Sequence, residues 1–167
     1  MYDKAELFVK EGGALNLSTA ALCAVLRAVL AKGVSFRFRA KGFSMSPCIS
    51  DGDVVTVAPL SGTALRLGDT VAFINPHADK LAVHRIIRKQ GDAFCVRGDN
   101  APAADGLIRR ADILGRVIGV ERGSRRVSIG LGPERRVIAL LNRYGILMTL
   151  LILLSRARSV LRCRSGT

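Results

Sequence analysis

A chain of 167 residues, 49% of them apolar, has the material for one compact domain with a short extension at each end, which argues against global disorder. Its formal net charge of +13 is unevenly spread: residues 1–106 carry 13 Lys/Arg against 10 Asp/Glu, whereas residues 107–167 carry 13 Arg against 3 acids. The four cysteines (Cys23, Cys48, Cys95, Cys163) are scattered, with no Cys-x-x-Cys pair and no clustered His, which argues against a zinc site and leaves free thiols as the expectation.

Residues 14–32 read as a capped amphipathic helix, with Asn16 and Ser18 before the apolar stretch Ala20–Leu30 and Gly33 after it. That stretch contains Arg27 and is too short and interrupted to read as a membrane span, and with Lys4, Lys10 and three acids before it no cleavable export signal is evident. From Val34 the period changes to two: Phe36, Phe38 and Ala40 alternate with Arg37, Arg39 and Lys41, as in a strand with one wet face. Further strands are expected at Val54–Ala58, Thr70–Ile74, Leu81–Arg88, Ala93–Arg97 and Gly115–Glu121, and again at Arg126–Ile129. Turn signals separate them, among them Asp51-Gly52-Asp53, Leu67-Gly68-Asp69, Asn75-Pro76, Gly91-Asp92 and Gly98-Asp99-Asn100. A Gly132-Pro133 break then opens a last, helical segment. The expected fold is mostly β: a coiled antiparallel sheet with flanking N- and C-terminal helices, divided into residues 1–33, 34–131 and 132–167.

The C-terminal segment is both the most basic and the most apolar part. Val137–Leu154 is interrupted chiefly by Asn142 and Arg143. Nucleic-acid arms rarely look like that, so the expected partner is an anionic membrane surface reached through residues 137–154 and the basic tail, with no nucleic acid. A core helix with arginines on its wet side is the competing reading. Arginines flank the segment on both sides, so charge asymmetry assigns no orientation.

Four stretches carry candidate chemistry. Gly42-Phe43-Ser44-Met45-Ser46-Pro47 follows the first expected strand directly. A serine at such a junction presents its hydroxyl and its own N–H to one point, as attack on a carbonyl requires, although a turn hydroxyl is the commoner fate of Ser-x-x-Pro. The Gly-Asp turns at Gly52-Asp53 and Gly68-Asp69 open β-branched strands and read as structural. In Leu81-Ala82-Val83-His84-Arg85-Ile86, His84 shares a strand face with Ala82 and Ile86, where a neutral imidazole could accept a hydroxyl proton. Alone it would pass for a core histidine. His77 lies in a Pro/Asp loop and reads as a surface residue. Gly98-Asp99-Asn100, with Asp105 six residues beyond Asp99, offers two carboxylates, either of which could fix the tautomer of His84; each alone reads as a turn cap.

In this order the four stretches resemble the signal peptidase I family, in its archaeal and endoplasmic-reticulum branch, over roughly residues 36–120. The resemblance implies that Ser44 of a Ser-Met-x-Pro box is the nucleophile, that His84, followed by Arg85, replaces the lysine base of most bacterial members, and that Asp99 and Asp105 match the family's two later acids. Leu114-Gly115-Arg116-Val117 resembles its final strand. It further implies coiled β-sheets, a groove with Met45 and Pro47 beside an extended peptide bound by β-pairing, cleavage after small residues, and no metal or organic cofactor. Some members carry a hydroxyl two residues before the nucleophile; here Gly42 stands there, so any oxyanion donor beyond the Ser44 N–H must be backbone.

The expected function is therefore a serine endopeptidase acting on signal or leader peptides, or on a restricted set of precursors, at a prokaryotic inner membrane. Typical members have a clear N-terminal anchor, whereas this chain has only the Arg-bearing stretch at 20–30, which favours the restricted role. Two alternatives stand beside it: a LexA-like self-cleaving regulator, which would use a lysine base, and an inert membrane-associated β module.

Overall fold

The computed structural model describes residues 6–10, 13–76, 78, 80–147 and 149–150, with side chains at residue 18 and from residue 20 on. His77, Cys163 and residues 151–154 of the expected apolar run lie outside the described residues. Ten strands are described: β1 (Glu6–Lys10), β2 (Gly13–Leu17), β3 (Phe36–Arg39), β4 (Val54–Ala58), β5 (Thr70–Asn75), β6 (Lys80–Gln90), β7 (Ala93–Arg97), β8 (Gly106–Arg109), β9 (Ile113–Arg122) and β10 (Arg125–Arg126). They form one antiparallel sheet in the order β2-β1-β3-β4-β9-β5-β6-β7-β8, with β10 paired to β9. Two helices accompany it, α1 (Thr19–Ala31) and α2 (Arg135–Arg143).

The two longest strands, β6 and β9, bend the sheet because each serves two partners. Lys80–Arg85 of β6 pairs with β5, while Arg85–Gln90 pairs with β7. In β9, Ile113–Arg116 pairs with β5 and Arg116–Glu121 with β4. Register shifts at Thr56/Val57, Ala72/Phe73 and Ile86/Arg88 accompany these hand-overs, and such bulges add twist and bend where they fall. The sheet thus curls over two apolar cores.

The first core is closed by α1. Leu22, Leu26 and Leu30 recur every four residues, so they share one helix face, and all three are buried against Phe36, Phe38, Val55, Val57, Val117 and Val120. Each such side chain contributes roughly 1.5–3 kcal/mol on leaving water. Ser18 caps the helix, its Oγ accepting from the Ala21 N–H at 3.3 Å, and Gly33 ends it at φ 76°. Gly115 lets β9 approach closely, since a Cβ there would stand 2.5 Å from the Ala58 carbonyl and 3.1 Å from Leu30. The second core gathers Val71, Phe73, Ile86, Phe94, Val96, Ile108 and Ile113.

The expected mostly β architecture is present, with differences in detail. Strand β2 occupies Gly13–Leu17, so the helix starts at Thr19 with Ser18 as its cap, and Asn16 belongs to a strand. The β1–β2 hairpin, its β1 paired with β3 at Phe8↔Phe38, stands where only helix was expected. Strand β8 was also missed, because Gly106-Leu107-Ile108-Arg109 is too short to show alternation. The last expected strand shrinks to Arg125–Arg126, the short arm of a hairpin on β9.

Candidate active site

Ser44 lies in the turn between β3 and β4, and its side chain is exposed. His84 sits on β6 opposite Val71 of β5, its ring tilted against Phe73 at 5.9 Å between centroids. Asp105 immediately precedes β8, with its N–H bonded to the Val96 carbonyl at 3.0 Å. The fold joins the three. Ser44 Oγ is 3.0 Å from His84 Nε2, and His84 Nδ1 is 2.5 Å from Asp105 Oδ2. Asn75, at the end of β5, donates from Nδ2 to the other carboxylate oxygen, Oδ1, at 3.0 Å. With Asp105 accepting from Nδ1–H, Nε2 is left as the acceptor that faces the serine hydroxyl. The side chains of His84 and Asp105 are only 12% and 15% exposed, so both are shielded while Ser44 stays open.

A cleft of about 150 Å³ adjoins the serine, lined by residues 40–42, Ser44 and Met45 on one wall and Leu81–His84 on the other. Since β7 pairs with β6 only from Arg85 onward, the cleft-side edge of Lys80–His84 has no strand partner among the described residues. Among those residues the Ser44 N–H is also without a hydrogen-bond partner, which leaves it available to an oxyanion. No group of three or more His, Cys, Asp or Glu that could hold a metal ion is found among them.

Three sequence-based assignments change. Asp99 does not reach His84: it is fully buried and grips Arg85 through two bonds, Nε to Oδ1 at 2.8 Å and Nη2 to Oδ2 at 2.6 Å. Gly42 lines the cleft, but its N–H is spent on Asp51 Oδ1 at 2.8 Å and so is not an oxyanion donor here. Pro47 does not line the cleft, and its carbonyl accepts from Arg122 at 3.1 Å. Met45 is buried at the cleft floor, where its sulfur receives the Asp99 N–H at 3.4 Å.

The Arg85–Asp99 pair anchors the loop that supports Ser44. Arg85 also donates from Nη1 to the Gly68 and Gly130 carbonyls at 2.9 and 2.7 Å. Burial would push its guanidinium down, but the Asp99 carboxylate holds it up and charged. Cys48 lies beside this pair, and burial together with the Asp99 charge pushes its thiol up to about 12, which makes it an inert core thiol. From the same loop the Asn100 N–H donates to the Ser44 carbonyl at 2.7 Å, and its Nδ2 to the Phe43 carbonyl at 3.3 Å. Gly98 is required by contact: a Cβ there would fall 2.5 Å from the Ser44 carbonyl.

One residue that sequence reasoning treated only as an interruption, Asn142 of α2, completes this support. Its buried Nδ2 donates to the Gly98 carbonyl at 3.2 Å and to Asp99 Oδ1 at 3.3 Å, while its own carbonyl receives Arg97 Nη1 at 2.9 Å. A lone Asn inside an apolar run was the available signal, because such a residue is buried only with partners. Asn75 was read as a turn former and gave no such cue.

An exposed serine, a shielded imidazole and a carboxylate in line, set beside a cleft on a curled antiparallel sheet, match the arrangement that serine-type peptide hydrolysis requires. The model of the Peptidase S24-like family matches residues 13–118, and the chain belongs to that family, within the LexA/signal-peptidase-like superfamily. A search of curated proteins found no match.

Proposed function

We propose that this chain is an active serine endopeptidase that cleaves an extended segment of another polypeptide, with Ser44 as nucleophile, His84 as general base and Asp105 as its orienting carboxylate. The observation that carries the reading is the continuous path Ser44 Oγ–His84 Nε2, His84 Nδ1–Asp105 Oδ2, opening on the cleft. A substrate strand laid along the free edge of Lys80–His84 would gain main-chain hydrogen bonds, and its alternate side chains would enter the cleft. At about 150 Å³ the cleft is smaller than the ~300–1,000 Å³ of sites that enclose a drug-sized ligand. That size favours small side chains at the scissile bond, in keeping with the signal- and leader-peptide class of substrates.

Ser44 Oγ bonds to the scissile carbonyl carbon as its proton passes to His84 Nε2, and the carbonyl electron pair moves onto oxygen, towards the Ser44 N–H. Collapse of this adduct expels the amine, which takes the proton from Nε2. Water repeats the sequence on the acyl-enzyme, releasing the new carboxylate and restoring Ser44. Base catalysis of this kind contributes about 10²–10⁴ in rate, and an oxyanion donor about 10²–10³.

Membership of the S24-like family gives a second reading, self-cleavage of the LexA-like kind. The test is incubation of wild type, Ser44→Ala and His84→Ala proteins with a panel of leader peptides, read by mass spectrometry. Cleavage of added peptide by wild type alone supports the proposal. Equal processing by all three sinks it, and internal cleavage at a rate independent of protein concentration replaces it with the second reading.

A further inference from the structure

α2 turns two unlike faces outward and inward. Its inner face carries Ala139 and Asn142, both buried, the latter tied to the Gly98–Asp99 loop. On the opposite side Val137, Leu140 and Tyr144 are 58%, 42% and 68% exposed. At about 100° per residue these three fall within a sector of roughly 60°, a continuous apolar stripe. Arg136 and Arg143 are exposed along one border of it, with the Arg143 guanidinium 5.7 Å above the Tyr144 ring. Beyond the turn at Gly145 (φ 73°), Ile146 and Leu150 add further exposed apolar surface.

An apolar stripe bordered by arginines has a definite chemical complement. Among residues 135–167 there are seven Arg and no Asp or Glu, and Leu151-Ile152-Leu153-Leu154 follows directly on the stripe in the chain. A protein groove complementary to this surface would have to combine apolar contact with an unbroken acidic border. An anionic bilayer supplies both at once, acyl chains below and phosphate at the rim. The inner face of α2 also decides the pose. With Asn142 held in the protein and nine residues spanning about 14 Å against a ~30 Å hydrocarbon core, α2 can lie on a bilayer but not cross it. No helix among the described residues is long and apolar enough to cross a membrane.

We propose that the outer face of α2, the stripe Val137–Leu140–Tyr144 with Arg136 and Arg143, docks flat on an anionic lipid surface. This holds independently of the peptidase reading. Docking would place the loop that supports Ser44 one helix thickness from the bilayer, through Asn142. The test is co-sedimentation of the purified full chain with vesicles of mixed phosphatidylglycerol and phosphatidylcholine, and with vesicles of phosphatidylcholine alone. Binding should be at least about tenfold tighter to the anionic vesicles and fall as salt rises. The triple variant Val137→Ser/Leu140→Ser/Tyr144→Ser should weaken it by about tenfold or more, and Arg136→Glu/Arg143→Glu comparably. The second variant alters only exposed charge, so it carries the test should the first fail to fold. Undiminished binding by the charge variant would mean that residues 151–167 hold the lipid without α2, and overturns the proposal. Equal binding to neutral vesicles, or self-association in place of vesicle binding, overturns it as well.

Discussion

His84 and Arg85 are neighbours on β6 that face opposite ways, and each has found an aspartate from the same loop region. His84 meets Asp105 near the cleft, with both side chains keeping some exposure. Arg85 meets Asp99 in the interior, at 1% and 0% exposure, with Gly68, Gly130 and Asn142 completing its surroundings. The first pair is arranged so that a proton can move. The second is locked, with the Arg85 nitrogens and both Asp99 oxygens engaged by buried partners. Strand alternation therefore divides one sequence motif into a chemical half and a scaffolding half, and the division should appear as a split between activity and stability.

The largest effects test the chemical half. Ser44→Ala and His84→Ala should each lower peptide cleavage by about 10⁴-fold or more. The Ser44→Ala denaturation midpoint should correspond to a change within about 0.5 kcal/mol, as for an exposed position. His84→Ala also removes a shielded ring packed on Phe73 and leaves Asp105 without its partner, and should cost about 1–3 kcal/mol. Asp105→Asn should lower kcat by about 10³–10⁴-fold by unsettling the tautomer, again with the fold retained. If Asp99→Asn produced that pattern and Asp105→Asn did not, the two aspartates would have to exchange roles.

The scaffolding half should respond in stability. Arg85→Met strands a buried carboxylate and should cost about 3–5 kcal/mol in chemical denaturation, whereas Arg85→Met with Asp99→Leu should recover most of that. Independent, additive costs would mean that the pair is not a unit. Asn142→Leu removes the Nδ2 bonds to the Gly98 carbonyl and to the buried Asp99 carboxylate and should cost about 1–3 kcal/mol. Because Gly98 abuts Ser44, kcat should fall while KM changes little, and Asn142→Asp, which keeps size but not the donor, should not rescue it.

The effect that is absent at neutral pH concerns Cys48. Its thiol is raised from 9.0 to about 12 in the folded protein, so folding favours the protonated form. That contribution is complete below the ordinary thiol range and is lost as pH rises through it towards about 12. Denaturation titrations between neutral and strongly alkaline pH should show the loss in wild type and not in Cys48→Ala. Alkylation of Cys48 at neutral pH should track unfolding.

Legibility differed by type of feature. Strands β4 and β7 stand at their expected bounds because each buries alternate residues, the pattern that a one-sided sheet writes into its chain. The β1–β2 hairpin was not legible, since its pairing with β3 depends on a strand more than twenty residues away. Ser44 and His84 could be named in advance, although each resembled a common structural residue when taken alone. Asp99 and Asp105 could not be told apart, because a carboxylate in a turn says nothing of its distant partner.

The order Ser44, His84, Asp99, Asp105, the strand periods and the arginine-rich apolar end are properties of the chain itself, since local propensity and alternation need no long-range contact to be read. Tertiary structure decided the pairings. It gave Asp105 to His84 and Asp99 to Arg85, spent the Gly42 N–H on Asp51, and drew Asn142 beneath the loop that supports Ser44. The reason is physical: hydrogen bonds, including those within ion pairs, form only at about 3 Å, and residues 40 apart in sequence come that close only when the sheet curls.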